Sequence, residues 1–121
     1  MRRVRVALAA TLVAGLLGGF ALAQTLPGSG RIPQFENAQV KVWRTRVATG
    51  DPLPLHRHDH PRVVVALSDG ELDLRNAAGA VERLPMQNGH AYWLPAMAAG
   101  AMHQDVNPGR EPLDLMVVEL K

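Results

Sequence analysis

The chain has 121 residues, 47% hydrophobic and 20% charged, a composition that suits one folded domain and excludes a disordered chain. It contains no cysteine, which excludes a disulfide framework, a thiol nucleophile, a thiolate zinc site and a cysteine-ligated iron–sulfur cluster. Its formal net charge of +2 depends on Arg2, Arg3 and Arg5; past residue 23 acidic residues outnumber basic ones, and no basic stripe for nucleic acid remains.

Residues 1–23 combine that arginine-bearing start with an uncharged stretch from Val6 and an Ala21-Leu22-Ala23 cleavage site. This is the pattern of a cleavable secretory signal peptide, and it predicts a periplasmic or secreted protein beginning at Gln24. A retained membrane anchor is the alternative, disfavoured by Gly15, Gly18, Gly19 and the small residues before Gln24. Residues 24–37 carry two prolines and two glycines without periodicity and read as a flexible N-terminal arm. From residue 38 short β-forming runs alternate with turn residues. Strands are predicted at 40–47, 62–67, 71–75, 80–84, 91–94, 101–106 and 113–120. Turns fall at Gly50–Pro54, Ser68–Gly70, Asn76–Gly79, Pro85–Gly89 and Asn107–Gly109. About seven short strands at even spacing predict an all-β sandwich or barrel.

The chemistry must be sought in five histidines: His56, His58, His60, His90 and His103. The first three stand at i, i+2 and i+4. If that stretch is extended, His56 and His58 share a face about 7 Å apart, which suits chelation of one divalent ion. His60 joins them unless Pro61 bends the chain. Imidazole is a common ligand for zinc, iron, nickel and copper. An exposed loop with incidental histidines is the competing reading of this tract taken alone.

Gly50, five residues, His56-Arg57-His58 and a β-run ending at Gly70 resemble the first motif of the cupin superfamily. That motif is a glycine, five residues, His-x-His, three or four residues, a glutamate, six residues and a glycine. Gly89, Pro95, Gly100, His103 and Asn107 are similar to the second motif, with three extra residues between Pro95 and Gly100. The motif glutamate is missing: its place falls on Arg62 or Val63, neither of which can bind a metal. The resemblance spans residues 38–121. It implies a small jelly-roll β-barrel with His56, His58 and His103 pointing into a pocket at its mouth, where they hold a divalent metal. Iron, manganese, zinc, copper and nickel are not distinguished. His60 is a possible substitute ligand for the missing carboxylate. The resemblance also implies a homodimer paired through its sheets.

Arg62 has two readings: a cation on the pocket wall that fixes a carboxylate ligand, or, more simply, a solvated or salt-bridged residue at a strand start. Tyr92 and Trp93 face opposite ways on a strand; core packing is expected for Trp93, which leaves Tyr92 as a pocket candidate. Met86, Met97, Met102 and Met116 read as core fillers, His90 as a surface residue, and Glu71 with Asp73 as an exposed hairpin face. No G-x-S-x-G elbow and no glycine-rich phosphate loop is present. The sequence therefore predicts an exported cupin-like protein that binds a divalent metal, a small molecule or both. A metal-free ligand-binding or dimerisation domain and a metal-dependent dioxygenase or isomerase are the alternatives.

Overall fold

A computed structural model describes residues 26–121; the expected signal peptide lies outside the described residues. Runs rich in Val, Leu and Ala, cut by Gly, Pro and Asn, form eight strands. They are β1 (Gly30–Glu36), β2 (Val40–Val47), β3 (Arg62–Ala66), β4 (Gly70–Asn76), β5 (Val81–Met86), β6 (Ala91–Leu94), β7 (His103–Val106) and β8 (Leu113–Leu120). The seven predicted strands are all present, three with the expected ends and four shifted by one or two residues. The eighth is a correction. Gly30–Glu36, read from the sequence as part of a flexible arm, is an edge strand antiparallel to β2. Pro33 is tolerated because an edge strand need not donate on its outer side, and the register breaks between Pro33 and Phe35.

The strands make two antiparallel sheets, one ordered β1-β2-β8-β3-β6 and the other β5-β4-β7. This is the jelly-roll arrangement. The core lies between them. Trp43 and Val47 of β2, Val64 and Ala66 of β3, Leu113, Leu115 and Val117 of β8, and Leu72 of β4 are all buried. Side-chain alternation explains which residues meet there. On β8 the inward series Leu113, Leu115, Val117 ends in Glu119; on β3 the inward series begins with Arg62 and continues through Val64 and Ala66. Arg62 and Glu119 are paired in register across the two strands.

The same alternation corrects two expectations. Tyr92 pairs with Val64, which is buried, so Tyr92 packs on the core and Trp93 points outward, 58% exposed. Asp73 is not part of an exposed carboxylate face. It is buried and accepts two hydrogen bonds from Arg83 at 2.7 and 2.9 Å. Three motif glycines have a conformational reason: Gly50 (φ 71°), Gly89 (φ 83°) and Gly100 (φ 76°) occupy the left-handed region, which costs other residues strain.

Candidate metal centre

The His56–His58 segment is not a strand. His56 joins β7 through a single antiparallel bridge, in which it and His103 exchange both backbone hydrogen bonds at 2.8 Å. Two residues paired in this way present their side chains on the same side. Their Nε2 atoms consequently lie 3.0 Å apart. The next residues are tied to the loop after β6: Met97 N–H donates to His58 O at 2.9 Å, and His58 N–H points to Met97 Sδ at 3.3 Å. Arg57 donates to Ala98 O and Ala101 O, so the three extra residues of the second motif strap the histidine segment down.

Three of the predicted ligands are thereby brought together. One ligand nitrogen from each of His56, His58 and His103 lies within 4.8 Å of the others. The His56–His58 ring centroids are 4.9 Å apart, closer than an extended strand would place them, because the chain is irregular there. His60 is not among them. Asp59 and His60 form a bend ahead of Pro61, and His60 is exposed.

The hydrogen bonds orient these rings. Pro54 O can only accept, so His56 Nδ1, 2.7 Å away, carries the proton and its Nε2 keeps a lone pair. His58 Nδ1–H donates to Glu119 Oε2 at 3.1 Å, which leaves its Nε2 free in the same way. A carboxylate or carbonyl behind each ligating imidazole is the usual outer support of a metal site. Burial, followed by the charge of Arg62, lowers the His58 pKa to about 3. Burial, followed by His56, lowers that of His103 to about 3. Both rings are therefore neutral near pH 7; His58 offers a free Nε2, while His103 Nε2–H donates to the His56 Nε2 lone pair and gives up that position when an ion binds. The 3.0 Å between the two Nε2 atoms also fits one ion, since nitrogens at about 2.1 Å from a metal and at right angles stand about 3 Å apart.

Arg62 is not a solvated surface residue, and it forms no salt bridge among the described residues; it opens only onto a cleft. It is 4% exposed, and among the described residues its guanidinium makes one long hydrogen bond, to Pro95 O at 3.5 Å. Burial lowers its pKa, while Asp105 and Glu119 oppose the shift. Together with His103 it lines a cleft of about 450 Å³ walled by Leu74, Leu94, Met97 and Met102. Tyr92 is not among the cleft residues, and its hydroxyl accepts a hydrogen bond from Gln87 N–H. Met102, expected in the core, is instead 39% exposed at the cleft.

Two carboxylates of the site escaped the sequence reading. Asp105 follows His103 by two residues on β7 and so shares its face; Glu119 ends the inward series of β8. In both cases the signal was a carboxylate in phase with residues already assigned to the interior.

No family model matches the chain. It is 35% identical over 88 residues to the beta-alanine degradation protein BauB of Pseudomonas aeruginosa, a match covering 73% of this chain and 88% of that one. A cupin domain crystal structure from Bordetella pertussis superposes with a TM-score of 0.67 at 28% identity, over 81% of this chain and 98% of that chain. The chain belongs to the cupin superfamily. An RmlC-like cupin with a double-stranded β-helix fold from Methanocaldococcus jannaschii, 13% identical with a TM-score of 0.62, shares the fold; the match covers 80% of this chain and 84% of that one. In this cupin the inward position at the start of β3, where the motif glutamate was sought, holds Arg62.

Proposed function

We propose that this cupin holds a divalent metal on His56, His58 and His103 and binds a small carboxylic acid beside it, with Arg62 as the anchor for the carboxylate. The observation that carries the reading is Arg62 itself: a buried guanidinium with nearly all its donors unused, lining the same cleft as His103. Leaving a buried cation unpaired is costly, and a planar fork of N–H donors matches a carboxylate. The apolar walls of the cleft would take a short carbon chain. The likeness to a protein named for beta-alanine degradation supports a small amino or carboxylic acid as the ligand class. A divalent ion held there supplies Lewis acidity toward an oxygen of the ligand. The chain's own part is to keep His58 and His103 neutral, to orient the three rings and to hold the carboxylate next to them.

The test is calorimetry with β-alanine, malonate and propionate on zinc-loaded protein, comparing wild type with Arg62→Met. Binding of at least one of these acids, weakened about tenfold or more in the variant, is the expected result. Equal binding by both proteins would remove Arg62 from the site.

Metal-dependent dioxygenase or isomerase activity is the second reading, favoured by His103, which belongs to the triad and also lines the cleft. For residues 1–23 we propose a signal peptide that directs export. The mass of protein recovered from a bacterial periplasm tests this: a chain starting at Gln24 is expected, and an intact Met1 start would contradict it. We also propose a homodimer seated on the outer face of the larger sheet, where Trp93 pairs with Val63 and Val63 with Val118.

A further inference from the structure

Three neutral imidazoles leave a divalent ion's charge uncompensated, and the carboxylate of the first motif is absent. Among the described residues two carboxylates approach the triad. Glu119 meets His58 at Nδ1, the ring edge turned away from the free Nε2 lone pair, and so supports the ring from behind. Asp105 is placed differently. Its Oδ1 lies 3.4 Å from His103 Nε2 and 3.9 Å from His56 Nε2, the two ring nitrogens that are themselves 3.0 Å apart. Asp105 is 8% exposed, and Oδ1 is buried without a hydrogen-bond partner. Buried acceptors are rarely left in this condition. The one other such side-chain atom among the described residues, Trp43 Nε1, belongs to the ring stacked parallel to His58. No arginine or lysine nitrogen among the described residues comes within 4.0 Å of Asp105.

We propose that Asp105 is the fourth protein ligand of the metal, supplying from β7 the carboxylate that the start of β3 lacks. This rests on the His56–His58–His103 reading above. The trade is chemically coherent: with Arg62 placed inward on β3 the negative ligand must come from another strand, and position 105 is the next inward residue after His103. A site of three nitrogens and one carboxylate oxygen retains open positions on a five- or six-coordinate ion, so a ligand anchored by Arg62 still has access.

The test is titration with cobalt(II) alone, followed by its visible absorption and by competition against a chelator, on wild type and Asp105→Asn. The amide preserves shape and removes the charge. Wild type is expected to take up about one ion per chain, and the variant to bind it about 100-fold more weakly or worse, with displaced absorption bands. The metal-free variant should melt close to wild type, because Asp105 Oδ1 makes no hydrogen bond in the empty fold and its remaining contribution is the charge it sets against Arg62; a melting point far below wild type would mark Asp105 as a structural residue and overturn the proposal. Proton NMR of cobalt-loaded wild type gives a reading that needs no variant: a pair of strongly shifted, non-exchangeable protons assigned to the Asp105 methylene is expected, and their absence overturns the proposal. If Asp105→Asn binds cobalt as tightly as wild type with the same spectrum, the triad suffices, and the inference fails while the metal-binding function stands. If wild type binds no cobalt, both fail.

Discussion

Two imidazoles buried beside an arginine resist protonation, and this sets how the protein responds to acid. Unfolded, His58 and His103 each take up a proton near pH 6.5; folded, only near pH 3. Between those values the unfolded chain binds more protons, so stability falls as pH drops through the window and is unaffected by these rings above it. Melting of metal-free protein between pH 8 and pH 4 should show the melting temperature declining below about pH 6.5. A His58→Asn/His103→Asn variant should show a shallower decline; an equally steep one would assign the effect to other groups. At the same scale, Arg62 illustrates the limit of reading residues singly. An arginine opening a strand is usually solvated, and only its phase with Val64 and Ala66 reveals that it faces the interior. Asp105 and Glu119 were hidden for the same reason: each looks like an ordinary surface charge until the strand's inward phase is known.

At the scale of elements, most of the fold was legible because turn residues punctuate β-branched runs at almost every boundary. Two features were not. β1 lacks alternation and contains Pro33, so its pairing with β2 depends on tertiary contact, including Arg31 over the Trp43 ring at 4.9 Å. The His56–His58 segment has no regular structure of its own, and its shape comes from the bridge to β7 and the loop after β6. Asn107, the last residue of the second motif, pins the end of β7 to its neighbours. Its Nδ2 donates to Val47 O and Glu111 O, and its Oδ1 accepts from Gly109 N–H, all within 2.9 Å. Asn107→Ala leaves buried carbonyls without a donor and should destabilise the fold by about 2–4 kcal/mol in urea unfolding. A loss under about 0.5 kcal/mol would mean that the turn holds without it.

At the scale of the whole molecule, the two sheets enclose an apolar core at one end and collect nearly all the buried polar groups at the other. Thr45, His58, Arg62, His103 and Asp105 are buried there, with Asn107 closing the adjacent turn. Burying so many polar side chains together is costly for a domain of this size, and the proposed metal and acid would offset that cost. The outer face makes a separate prediction. If Trp93 lies in a dimer interface, Trp93→Glu should halve the mass seen in sedimentation without changing metal content, and an unchanged mass would place any interface elsewhere. Elemental analysis is the decisive experiment on the triad. Untagged protein and a His56→Ala/His58→Ala variant would be equilibrated separately with iron, manganese, zinc, copper and nickel. About one tightly held ion per chain, lost in a variant that still folds, is the predicted result. A folded wild type that retains none of the five, or a variant that retains as much, would show that the three histidines are not a metal site.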